Sequence, residues 1–239
     1  MTSNVSTSNI TPFGERQRLA TKAEEERGPA VSEGPRDIVT SARVAPKDFA
    51  TVAKEARAVL DQGLAKLGKP MSGHITGKEW DDVISSLDRR SLYAIYSNEG
   101  GRFSRYEQMY AEATMAHQEG TAMGHYDGLF QRDHAAGGLR GIRFLDGVSA
   151  EEKTSLRWAA IRAGTQHDYE AWSRDSGKVP EKTDGKDHPL VKILRSGLER
   201  RLALRDPTKR LEDMPEYQQA KQLAEQQRTQ LHSVVDRVA

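Results

Sequence analysis

The sequence predicts an all-α protein, a single irregular helical domain of about six helices behind a disordered N-terminal arm. Three observations carry that prediction. Beyond Pro46, apolar residues recur at three- and four-residue spacing, the period of one face of a helix. No segment alternates apolar and polar residues in the period of two that marks a strand. Residues 1–45 are rich in Ser, Thr, Asn, Glu, Arg, Gly and Pro, and so few apolar groups cannot offset the entropy of ordering the chain.

The first helix is expected from Pro46 onward. Phe49, Val52, Ala53, Ala56, Val59, Leu60, Leu64 and Leu67 share a face, and Gly68 with Pro70 supplies the stop. Thr76 opens the next segment, which carries Trp80, Val83, Ile84 and Leu87. Asp88 is placed to cap a continuation through Leu92, Ile95 and Tyr96, so 76–97 reads as one helix or two. Another helix runs from Ser104 through Met109, Tyr110 and Ala113 towards Met123. Residues 124–147, with Gly124, Gly128, Gly137, Gly138, Gly141 and Gly147, read as a loop holding one short helical turn.

A helix from Ser149 carries two apolar stripes. Leu156, Ala160 and Ala163 form one, and Trp158, Ile161, Tyr169 and Trp172 the other, as expected of a central core helix. After a polar linker at 176–187, Pro189 opens a helix bearing Leu190, Ile193, Leu194, Leu198 and Leu202. The last helix starts near Pro215. Its Ala220, Leu223, Gln227, Leu231, Val234 and Val238 follow a narrow three–four seam. The domain plan is therefore an arm over 1–45, a helical domain over 46–205 and an amphipathic helix within 206–239.

The composition narrows the chemistry. The 239 residues contain 36 basic and 35 acidic side chains, a net charge of +1, which gives no concentrated basic face for nucleic acid. There are no cysteines, so disulfides, thiolate catalysis and cysteine-ligated metals are excluded. No apolar run is long enough to span a bilayer, and the N-terminus lacks the pattern of a cleavable secretory signal. A cytoplasmic location is expected, with export lacking a cleavable signal as the alternative.

One pattern occurs twice: Gly73-His74-Ile75-Thr76-Gly77-Lys78-Glu79 and Gly101-Arg102-Phe103-Ser104-Arg105-Tyr106-Glu107. Glycine, an apolar residue, Ser/Thr and Glu stand at these offsets in the second half of an EF-hand calcium loop, where the glycine makes the turn and the Glu clamps the ion. The first halves lack its oxygen donors. Gly68, Pro70 and Ser72 precede the first motif, and Tyr96, Asn98 and Gly100 the second. A second reading explains one more copy. Ile75-Thr76…Glu79, Phe103-Ser104…Glu107 and Val148-Ser149…Glu152 are all capping boxes, in which hydroxyl and carboxylate each satisfy a backbone N–H of the first turn.

The stretch 68–118 thus resembles a degenerate EF-hand-like helix–loop–helix pair. Ser86–Tyr93, Ser97–Phe103, Phe144–Lys153 and Pro189–Lys192 are similar to segments of uncharacterised bacterial all-helical proteins. That resemblance implies a single domain and carries no activity with it. Asp37-Ile38-Val39-Thr40-Ser41, after a Ser/Thr-rich leader, resembles the disordered starts of bacterial proteins exported through flagellar or type III machinery.

Candidate chemistry is sparse. His117, Glu119, His125, Asp127, Asp133 and His134 lie close in sequence, a ligand set suited to zinc or iron if the helix breaks at Gly120 or Gly124. With Asn98, Glu107 and Glu79 from the paired loops, His117, His125 and Asp127 are the candidate metal ligands. His167, Asp168 and Glu170 offer acid–base groups, but adjacent helical residues diverge by about 100°. No nucleophile elbow is present, and Gly137–Gly141 lacks the ending of a phosphate loop. The basic window from Arg195 to Arg210 is diluted by Glu199, Asp206, Glu212 and Asp213, as on a solvated face.

The expected function is accordingly a non-enzymatic interaction or regulatory role. No catalytic residue and no cofactor is assigned, and a protein partner is expected on the final helix and the glycine-rich segment. The alternatives are a calcium- or metal-responsive regulator and a metal-dependent enzyme built on His117–His134.

Overall fold

The computed structural model describes residues 47–69 and 75–238, with side chains through residue 230 apart from Gln131. The chain divides between Ala45 and Pro46. The arm expected over 1–45 lies outside the described residues. Residues 46–239 form one compact unit, in which the final helix belongs with the rest. Among the described residues there is no strand.

Helix α1 (Phe49–Leu67) begins where Asp48 accepts a 2.8 Å bond from the Thr51 amide, and it ends on Gly68 at φ +64°. A left-handed cap suits glycine because it has no Cβ to clash. Val52, Ala56 and Leu60 are its buried edge. The segment 76–97 is two helices, α2 (Gly77–Ile84) and α3 (Arg89–Ser97). Asp88 breaks the run by capping α3 with its own carboxylate, accepting from the Ser91 amide at 2.8 Å. Helix α4 (Arg105–Met123) starts on the Ser104–Glu107 capping box.

These four helices enclose one core of Leu60, Trp80, Leu92, Tyr93, Ile95, Met115 and their neighbours. Ile75 and Phe103, the paired apolar residues of the repeated motif, are both buried in it. Trp80 stacks on Tyr110 with ring centres 5.1 Å apart, and its indole N–H donates to Thr114 at 3.1 Å. Each large apolar side chain buried here contributes about 1.5–3 kcal/mol.

The glycine-rich stretch departs from the expected loop. It forms a single turn, α5 (Leu129–Arg132), and then a 13-residue helix, α6 (His134–Asp146). Gly124 and Gly128 turn the chain, whereas the glycines inside α6 serve contact. A Cβ on Gly137 would stand 2.5 Å from the Phe130 ring and 2.8 Å from the Met123 carbonyl, and one on Gly141 would meet Met123 at 2.7 Å. Close packing on α4 therefore overrides the poor helix propensity of glycine.

Ser149 caps only a one-turn helix, α7 (Ala150–Lys153), and Ser155 re-caps the chain to start α8 (Leu156–Asp175). These extra breaks raise the helical segments above the expected six. Helix α8 is central, with Trp158, Ala159, Arg162, Ala163, Gln166 and Tyr169 buried. Helix α9 (Pro189–Leu204) and helix α10 (Pro215–Val238) complete the unit. A second core joins Leu145, Trp158, Leu190, Val191, Leu194, Ala220 and Ala224. The first half of α10 is thus docked on its own domain.

Candidate functional site

The residues that would clamp an ion are engaged by the chain itself. Glu107, 3% exposed, accepts from the Ser104 amide at 2.7 Å and pairs with Arg57 at 2.8 Å. Asn98 closes a two-point clamp on the backbone of Phe103, accepting from its N–H and donating to its C=O at 2.9 Å each. Glu79 pairs with Lys69 at 2.5 Å and reaches back to the Thr76 amide at 2.9 Å. The Lys69 ammonium, then the Thr76 cap, hold its carboxyl down at about 2. A cation at Glu107 would have to displace Arg57. Residues 70–74 of the first loop lie outside the described residues.

The histidine-rich stretch does not converge either. Helix α4 runs unbroken through Gly120 to Met123, and only Gly124, at φ +84°, turns the chain. His117 stacks on Tyr126 at 4.5 Å, whereas His125 packs edge-on against Phe130 at 4.4 Å. His134 lies between Phe130 and Trp172. Asp127 accepts from the Leu129 amide, and Asp133 caps α6. Among the described residues, no three His, Asp or Glu side chains gather as a metal would require. On α8, His167 and Asp168 approach at 3.2 Å on the surface, while Glu170 is held by Arg195 and Gln166.

Two polar clusters that sequence reasoning missed lie between helices. Arg89, at the start of α3, pairs with Glu152 and Glu119 at 2.6 Å each and donates to the Met115 carbonyl. Glu119 also takes Arg157 at 2.7 Å. Burial works against the Arg89 charge, but the two carboxylates outweigh it and raise its pKa. Deeper in α8, the fully buried Arg162 bonds Asp146 at 2.7 Å, Gln166 at 2.9 Å and Thr183 at 3.2 Å. Gln166 passes the chain to Glu170, and Glu170 to Arg195. Every member finds a partner, as a buried network requires. These clusters hold helices together.

A cleft of about 630 Å³ remains, formed by α3, α4, α8 and α10. Leu156, Ala160 and Ile161 line it from α8, and Tyr93 and Tyr96 from α3. Arg105 comes from α4, and Tyr217, Lys221 and Arg228 come from α10. Its volume falls within the range of ligand clefts. The Arg157 guanidinium lies 5.8 Å from the Tyr96 ring centre. Burial and Glu112 push the Tyr96 phenol up, with Arg157 and Arg105 opposing. Ser97 Oγ, also on the lining, is buried with no hydrogen-bond partner among the described residues.

The chain matches no family model, and no curated protein or solved structure is significantly similar to it. What the cleft does must be argued from its own residues. Arg157 is committed to Glu119, and Arg228 stands 3.6 Å from Glu99. Arg105 and Lys221 line the cleft without an ion-pair partner among the described residues. One signal for this surface was present in the sequence, since Tyr217, Lys221, Ala224 and Arg228 share a helix face. The other wall comes from α4, far away in sequence. No helix among the described residues is long and apolar enough to cross a membrane.

Proposed function

We propose that this chain is a non-enzymatic helical interaction or regulatory protein and that its partner seats in the cleft beside α10. One observation supports the reading above others. The cleft lining combines apolar side chains, Leu156, Ala160 and Ile161, with two cations, Arg105 and Lys221, that form no ion pair among the described residues. Tyrosine and arginine are the side chains that most often anchor interfaces, and both line this surface. Of the two surfaces expected to receive a partner, the final helix is the one this reading keeps, now together with α4, because the α6 glycines are occupied by packing.

The test fills the cleft. Ala160→Trp places a large ring in its lining, and circular dichroism checks that the fold survives. Partners recovered by the wild-type chain should be lost by this variant. Recovery of the same partners by both proteins would remove the cleft from the function.

A further inference from the structure

We infer that a second copy of this chain docks on the outward face of α4, forming a reversible antiparallel dimer about a two-fold axis at Ala113. This face is separate from the cleft, which α4 reaches through Arg105 and Gln108. Helix α4 turns Glu107, Ala111 and Met115 inward. Its opposite side carries Tyr106, 46% exposed, Met109, 49% exposed, and the exposed Ala113, Ala116 and His117. In an unbroken helix these positions share one arc of about 100°. The next turn continues the stripe. The Tyr126 ring, 64% exposed, stacks on His117 and lies over Gly120, where an added Cβ would stand 3.0 Å from it. Helix α4 is therefore apolar on two sides, a pattern of helices buried on both, yet its outer side is open among the described residues.

The order of side chains along this face makes it its own complement. In an antiparallel pair centred on Ala113, a residue some places before it meets the residue equally far beyond it on the other copy. Met109 then faces His117 of the second copy, a sulfur–ring contact. Tyr106 faces position 120, over which the Tyr126 ring lies, and the two phenols form an aromatic pair. Each contact occurs twice, and the small Ala113 on the axis lets the helices approach to about 8 Å. A parallel pair would instead oppose Tyr106 to Tyr106 and lose this fit. Any charge near a two-fold axis meets its own sign, and no Asp, Glu, Lys or Arg falls within the arc. Glu112, beside the axis in sequence, lies outside it and 3.8 Å from Arg157. Size sets the strength. Fully covered aromatic side chains bury about 150–250 Å² each, so Tyr106 and Tyr126 at these exposures supply roughly 200 Å². With the remaining residues the pair buries on the order of 800 Å², the scale of transient rather than permanent complexes.

Sedimentation velocity of the full chain from about 1 μM to about 500 μM tests this, and the mass should rise from one chain towards two. Ala113→Arg sets two guanidiniums against each other on the axis and should weaken the dimer at least about tenfold. The position is exposed and Arg is a good helix former, and circular dichroism checks the fold. The chain contains no cysteine, so single introduced thiols report the axis directly. Under mild oxidation Ala113→Cys should link two chains at least about tenfold faster than Ala116→Cys, because residues three places off the axis stand beyond the roughly 7 Å that a disulfide spans. A chain that stays monomeric throughout overturns the inference, whether another segment or a different protein covers the face. A dimer that Ala113→Arg leaves intact uses another surface and overturns it too. Equal linkage by the two cysteine variants overturns the antiparallel axis.

Discussion

In α1–α4 the buried side chains are apolar or aromatic, and among the described residues Glu107 alone is a fully buried charge there. From α7 onward Glu152, Arg162, Gln166, Ser173, Thr183 and Glu216 are all buried, with Arg162 fully so. The first region packs chiefly by apolar contact, with Arg57–Glu107 and Arg89–Glu119 as ion pairs at its edge. The second positions its helices through a polar chain that spans α6, the 183–185 turn, α8 and α9. Directional bonds set helix register more sharply than apolar contact does, but a half-broken network costs more than an apolar core. The cleft lies where the two regions meet, lined by residues of α3 and α4 and of α8 and α10.

The largest effect should therefore come from breaking that network. Asp146→Ala removes the bidentate partner of Arg162 and leaves a guanidinium buried with only Gln166 and Thr183. Removing one member of a buried pair costs about 3–5 kcal/mol, measurable by urea unfolding. Replacing both partners with apolar residues, as Asp146→Leu/Arg162→Met, should recover most of the loss. If the single and double variants lose the same stability, the network is not what distinguishes the two regions.

A smaller loss is expected from Gly137→Ala. The added methyl would meet the Phe130 ring and the Met123 carbonyl. The ring can shift, but the carbonyl belongs to the last turn of α4 and cannot. Overpacking of this kind costs about 1–3 kcal/mol, against a helix-propensity gain of roughly 1 kcal/mol. A stabilised variant would show that the α4–α6 contact is loose and that the glycines serve something other than packing.

What the sequence made legible follows the same division. Period and caps reveal α1, α3, α4, α9 and the start of α10, because apolar stripes and N-cap residues are local signals. The three capping boxes of Thr76, Ser104 and Ser149 all form at least their forward hydroxyl bond. Helix α6 was hidden because glycine signals a turn locally, whereas here it permits close approach of a helix distant in sequence. Arg162 was hidden for a related reason. In a stripe count it reads as a polar interruption of α8, and its partners Asp146 and Thr183 lie on other elements. The cleft shared this fate, since its cations Arg105 and Lys221 come together only through the fold.

The smallest effect concerns pH and the polar region alone. His188 precedes α9 with its ring edge-on to Trp158 at 4.9 Å, and its Nδ1 is buried without a hydrogen-bond partner among the described residues. Burial first, and then the Lys153 ammonium, hold its pKa below 6.5. In the unfolded chain the imidazole takes up a proton near 6.5, while in the folded chain it resists. Protons then bind more readily to the unfolded state, so stability is full above about 6.5 and falls as pH drops through the depressed folded value. Thermal unfolding followed from pH 7.5 down to 5 should show this decline in the wild type. His188→Gln removes the titrating group and should flatten the curve across that window. The Glu79 cap lies in the other region, and its depressed carboxyl releases its contribution only at lower pH. Parallel curves for the two proteins would mean that the His188 ring takes up its proton as freely in the fold as in the open chain, and that its burial against Trp158 carries no electrostatic cost.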